Sequence, residues 1–320
     1  MPAASDTRDT RGHLLGLVKR NDPTELKRVI LAADGSLKED LARLKYTNTR
    51  GYGDKSGEQE SLLGHVLHNA CVTDRLECVC VIAQCCGAGI LNGLYREYEW
   101  KWTPLHAACW FDRTVMVRSL LEYQAKLDMP DTDGCLPVHR AAQCGHLELV
   151  KYLLQLHPES VSVQSCTKSL PVHLASFAGA LGTVRYLLEM QPEHVSATDQ
   201  DGQLPLHCAA RLGHVETVRY LLDVCPVHIA VKNKAGLTPL VEAVFGPGTD
   251  CIPYLLQVTL SQLDHDQADV IVEQARSMAK RRHKSRELHM INQPAGGKNN
   301  CRLSCQRSLA SVHHIPVHRH

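Results

Sequence analysis

Fourteen cysteines and nineteen histidines give this 320-residue chain many potential metal ligands and nucleophiles. The last twenty residues hold Cys301, Cys305, His313, His314, His318 and His320, and two thiols followed by imidazoles is the ligand vocabulary of tetrahedral zinc. The gap between the two groups is shorter than a zinc finger requires, and no apolar helix backs it, so no metal site is expected. Cys78, Cys80, Cys85 and Cys86 also cluster, without a CxxC pair or matching histidines. They read as small apolar fillers of a helix. The stretch Arg50-Gly51-Tyr52-Gly53-Asp54-Lys55-Ser56-Gly57 is glycine-rich but lacks the ordered spacing of a phosphate-binding loop. No G-x-S-x-G, H-E-x-x-H, dinucleotide glycine triplet or kinase signature occurs. The expectation is a protein that is not an enzyme, with no cofactor and no small-molecule substrate.

Charge and composition narrow the class further. Lysine plus arginine is 35 and aspartate plus glutamate is 34, a net charge of +1 that excludes a protein living by global charge. Apolar residues make up 44%, enough for a large core. No apolar run approaches the length of a membrane span, and MPAASDTRDT has no signal-peptide core, so neither membrane nor secretion is expected. The thiols then read as reduced, in a cytoplasmic protein, with the nucleus as the alternative. Only 5% of residues are aromatic, so the core must be built from Leu, Val, Ala and Cys.

The elements that must position these residues recur. TPLH begins at Thr103, LPVH at Leu136 and Leu170, LPLH at Leu204 and TPLV at Thr238, spaced 33, 34, 34 and 34 residues apart. Each is followed by a small pair, Ala108-Cys109, Ala141-Ala142, Ala175-Ser176, Ala209-Ala210 or Ala243-Val244. Then come Gly145, Gly179 and Gly213 in turns, and apolar helices such as Leu149 to Leu154. Proline suits the first helical turn, because its missing N–H has no intrahelical partner. Threonine can cap the helix, and three units carry Leu in its place. Small pairs let two helices approach, and glycine supplies the left-handed turn. Period, motif, small pair and turn in one register resemble the ankyrin-repeat family.

The resemblance implies an all-α solenoid of helix-turn-helix units with finger-like β-turns, followed by a C-terminal helix and a disordered tail. Weaker copies at Leu14 to Ile30 and around His65-Val66-Leu67-His68 bring the expected total to seven repeats over 11–258. The full division is a disordered 1–10, the array with a long finger insertion near 34–60, a basic helix over 261–291, and a disordered Cys/His tail over 292–320. A structural role follows for His106, His139, His173 and His207, hydrogen-bonding backbone within and between repeats.

For function, the resemblance implies binding of a protein partner of unspecified identity on the concave face, by a monomeric scaffold or adaptor. Nucleic acid is not expected as a partner. The family's contact positions, carried over residue by residue, are Trp100, Trp102, Trp110, Phe111, Gln143, Phe177, Arg211 and Phe245, which include all three Trp and all three Phe. Cys109 is expected to be inert and Cys144 to be reactive. Two alternatives remain. Cys301-Arg302, Leu309 and Ile315-Pro316-Val317 resemble parts of a SOCS box, the tail by which a substrate adaptor engages a ubiquitin ligase. Lys280, Arg281, Arg282 and Lys284 could form a nuclear localisation signal, as in a nuclear regulatory protein.

Overall fold

Short helices open with proline at 104, 137, 171, 205 and 239, each after one residue of extended backbone. The computed structural model describes residues 13–32, 45–46, 60–97 and 100–292. Most of the insertion near 34–60, the first ten residues, and Cys301, Cys305 and the tail histidines lie outside the described residues.

Each proline-led helix pairs with a second helix. The inner helices, Leu62–Val72, Pro104–Trp110, Pro137–Cys144, Pro171–Ala178, Pro205–Leu212 and Pro239–Phe245, are followed by outer helices Leu76–Cys86, Thr114–Glu122, Leu147–Leu156, Leu181–Met190, Val215–Val224 and Ile252–Gln262. A first pair, 13–20 with Pro23–Ala32, precedes them. Inner helices pack on inner helices along the array.

The turn within each pair follows one rule. Gly145, in the left-handed conformation at φ 77°, donates its N–H to Ala142, and His146 donates to Ala141 at 3.0 Å. These bonds satisfy the carbonyls left open at a helix end. Gly179 and Gly213 repeat this geometry. Asn21, Asp74 and Asp112 take the same place at φ 53°, 60° and 55°, and short Asn and Asp tolerate it best after glycine. The seventh repeat departs from the rule. A Cβ on Gly246 would fall 1.9 Å from the Arg211 carbonyl oxygen, so glycine is what lets Gly246-Pro247-Gly248 close on the sixth repeat.

The segment expected as a single basic helix over 261–291 is instead a further pair, His265–Arg281 and Ser285–Asn292. His283, at φ 54°, stands where glycine stands in the earlier turns, and Lys284 donates to Ala279 at 2.9 Å. Asp264 caps the first helix through Gln267 N at 2.8 Å. Ala268, Ile271, Val272 and Ala275 are buried, and the helix packs on the inner helix of the seventh repeat. It serves as the inner helix of an eighth, motif-less unit.

Fingers link neighbouring repeats. Asp131, Ser165, Asp199 and Asn233 each brace a turn with a side-chain oxygen on backbone N–H groups. Between turns, Cys166, Gln200 and Lys234 donate backbone N–H to Asp133, Thr167 and Asp201 at 2.8–2.9 Å. The third finger is a hairpin, with Tyr95–Glu97 antiparallel to Trp100–Trp102. The buried apolar side chains form one cluster from Leu14 to Ile291, so no repeat has a core of its own.

A second seam runs along the outer helices. Arg118 lies 4.4 Å over the Tyr152 ring, Lys151 5.9 Å over Tyr186, Arg185 4.8 Å over Tyr220 and Arg219 4.3 Å over Tyr254. Each cation reaches forward one repeat to the next tyrosine face.

Candidate functional site

The motif histidines are internal struts. His106 Nδ1 accepts from Thr103 N at 3.3 Å, and His139, His173 and His207 accept from Leu136, Leu170 and Leu204 N–H at 3.1–3.2 Å. Nδ1 is therefore the acceptor, and the proton sits on Nε2. That nitrogen donates across to the next repeat: His106 to Cys135 O at 2.9 Å, His139 to Val163 O at 3.0 Å, His173 to Ala197 O and His207 to Val231 O at 3.1 Å. Where Leu replaces the capping Thr, the imidazole still satisfies the first orphan N–H. Burial holds these rings neutral, pushing His106 down to about 3 and His139 and His207 to about 4. Among the described residues no group of three or more His, Cys, Asp or Glu is placed to hold a metal ion.

The inner face, lined by fingers and inner helices, carries the expected contact residues in unequal states. Trp102 is buried, at 6% exposure, and stacks on Trp110 with ring centroids 5.2 Å apart. It braces Trp110 from behind and is not open to a partner. Trp100 lies in the same strand, and its side chain is outside the described residues. Trp110 is half-buried, while Phe111 and Phe177 are 36% and 43% exposed. Gln143 accepts from Arg140 Nη1 at 2.9 Å. Phe245 is half-buried between Arg211 and Arg282.

Arg140 organises this face, and the motif analysis passed over it. Its Nη2 lies 2.6 Å from both Asp131 and Asp133, Nε donates to Asp131 at 2.8 Å, and the guanidinium sits 5.4 Å over Trp102. One side chain thus ties a finger, an inner helix and the tryptophan pair together. The signal was available, since Arg140 precedes a small pair where other repeats have Ala107, Leu174, Cys208 and Glu242. The turn residues add a second tie. His146 Nε2 donates to Trp110 O at 3.0 Å and His214 Nε2 to Phe177 O at 2.9 Å, closing the helix ends that carry the aromatics.

The basic cluster is partly docked. Lys280 and Arg281 are exposed, but Arg282 donates to Phe245 O at 3.0 Å and Lys284 to Gly246 O at 2.5 Å. A receptor reading Lys280, Arg281, Arg282 and Lys284 as an extended peptide would have to break this turn. The thiols also differ from expectation. Cys144 was expected to be reactive, yet burial pushes its thiol up to about 12, and Cys71 and Cys109 are driven above the usual range by the same cause. Among the described residues the exposed thiol is Cys166, at the edge of a recess of about 420 Å³ lined by Asp128, Leu136, His157 and Val163.

Known proteins resemble part of this chain. It is 34% identical over 90 residues to SMC5-SMC6 complex localization factor protein 1 of Homo sapiens and 33% identical over 90 residues to the Bos taurus protein. Each match covers 28% of this chain and 8% of the relative, so the chain spans a small part of those proteins. Among the described residues no helix is long and apolar enough to cross a membrane. The family described as ankyrin repeats (3 copies) matches residues 67–165 and 172–269, which include the motif histidines, the left-handed turns and the finger ladder. By this register and this match the chain belongs to the ankyrin-repeat family, whose repeats are protein–protein interaction modules.

Proposed function

We propose that the chain is a non-catalytic adaptor that grips a segment of another protein along the concave inner face of repeats three to seven. The observation that supports this is the exposure of Phe111 and Phe177, beside half-buried Trp110, on inner-helix ends held rigid from behind. Aromatic side chains left in water forgo the gain of burial, and buried aromatics and arginines dominate interface energetics. Trp102, Arg140 and Gln143 form the support of this surface rather than its contact atoms. The relatives are named as localization factors of the SMC5-SMC6 complex, and an adaptor reading agrees with such a use of a shared stretch.

Phe177→Ala is the clean test, because Phe177 is exposed whereas Trp110 packs on Trp102. Affinity purification with quantitative mass spectrometry on wild type and variant identifies the partners that depend on the phenyl ring. Their measured affinity should fall about 30-fold, or about 2 kcal/mol. The melting temperature should hold. Binding unchanged by Phe177→Ala and Phe111→Ala together would sink the reading.

A further inference from the structure

The inner face changes character at the seventh repeat. The Phe245 ring lies between two guanidinium groups, Arg211 at 5.6 Å from its centroid and Arg282 at 3.7 Å. Arg211 comes from the sixth inner helix, and Arg282 from the turn of the C-terminal pair. Neither makes an ion pair with a carboxylate among the described residues. The acids on adjoining elements make their hydrogen bonds and ion pairs elsewhere, Glu242 Oε1 accepting from Asn233 Nδ2 at 2.7 Å and Glu287 lying 3.5 Å from Lys284, although the Glu242 carboxyl still feels the Arg211 charge. Lys280, Arg281 and Arg286, flanking Arg282, are exposed and equally unpaired. Arg282 uses one N–H on the Phe245 carbonyl, which fixes the guanidinium and leaves its other donors free. A phenyl ring offsets part of the repulsion between two cations on its faces, and of the two only Arg211 has a nearby carboxylate, that of Glu242.

We infer that this end of the stripe is an acid-receiving subsite, resting on the adaptor reading above. A partner polypeptide sets an apolar side chain on Phe177, with a further one on Trp110 where it extends that far, and places Asp or Glu carboxylates over Arg211, Arg282, Lys280 and Arg281. The geometry fixes a spacing. Inner helices stack about 10 Å apart, so Phe177 and Phe245, two repeats apart, are about 20 Å apart. An extended segment covers that in about six residues. The recognised sequence therefore has an aromatic or aliphatic anchor with an acidic cluster about six residues away. A polypeptide fits better than a nucleic acid, because the cations stand at one end of an apolar track whose other end offers a phosphate backbone nothing, and the whole chain carries only +1.

The test is selection of displayed random peptides, about 16 residues long so as to span the face, on the full chain. Lys280→Glu with Arg281→Glu reverses charge on exposed side chains that make no hydrogen bond or ion pair among the described residues. Arg211→Glu attacks the sandwich itself, and thermal melts verify that each variant folds. Enriched peptides should pair an apolar anchor with acidic residues at the stated spacing. They should bind the charge-reversed variants at least about tenfold more weakly, and lose affinity as salt is raised. Peptides without acidic excess that bind those variants normally but lose affinity with Phe177→Ala would overturn the subsite and leave the adaptor reading standing. No enrichment, or enriched peptides indifferent to Phe177→Ala as well, would overturn both. A short fluorescein-labelled DNA duplex that displaces the peptides, and fails to bind the Lys280→Glu, Arg281→Glu protein, would overturn the inference in favour of a nucleic-acid contact.

Discussion

A buried imidazole that accepts a backbone N–H on one nitrogen has no place for a second proton. His106, His139 and His207 are depressed from 6.5 to about 3, 4 and 4, and His173, His194, His214 and His228 are lowered by burial as well. Between pH 6.5 and about 4 the unfolded chain binds protons that the folded chain refuses, so stability is full above pH 6.5 and falls on acidification. Each fully depressed histidine contributes a slope of up to about 1.4 kcal/mol per pH unit there. The melting temperature should therefore drop from pH 7.5 to 5, and a flat profile would mean these rings are not buried neutral. Thiol labelling gives an independent check at this scale. Cys166, exposed, should react first with a maleimide, with Cys109 and Cys144 protected until unfolding. Peptide mapping that finds Cys144 labelled first would contradict its burial.

Within one element, packing outweighs propensity. Leu153 is 1% exposed on the fourth outer helix, and Leu153→Ala should cost about 2–5 kcal/mol, read as a lower denaturant midpoint. The outer seam predicts a coupling between elements. A double-mutant cycle of Arg219→Gln and Tyr254→Leu should return about 0.5–1 kcal/mol, and additive effects would show the stacking contributes nothing. Helix positions were legible in the sequence because TPLH-type residues act locally, through a proline, a cap and a left-handed glycine. The seam was written there too, as Lys151-Tyr152, Arg185-Tyr186 and Arg219-Tyr220 before each Leu-Leu pair, but its meaning needs a partner one repeat away. The candidate site was legible in part for the same reason. The resemblance to the family carried Phe177 over to the inner face, whereas the burial of Trp102 depends on Trp110 and Arg140, and the docking of Arg282 depends on Phe245, neither of which is a local property.

At the scale of the whole molecule, the C-terminal pair is a lid on the hydrophobic ribbon. Truncation after Gln262 uncovers the seventh inner helix, so the melt should broaden and protection in 239–262 should be lost ahead of the centre. Hydrogen exchange showing 239–262 as protected as before would mean the pair is a passive appendage. The histidine struts give this array a grain. Each motif Nε2 points toward the C-terminal neighbour, so a repeat lifting away on that side strips that imidazole of its acceptor, whereas His214, whose Nε2 donates back to Phe177 O, loses its acceptor when the repeat before it leaves. An uncovered ring regains ordinary basicity and takes up a proton in weak acid. The lid itself departs without this, because Val241 stands where the seventh histidine would be. The first proton goes to His207 as the seventh repeat detaches, and then His173 and His139 follow in turn. Loosening that starts at the C-terminal end in mild acid therefore advances through these three rings as a front of proton uptake.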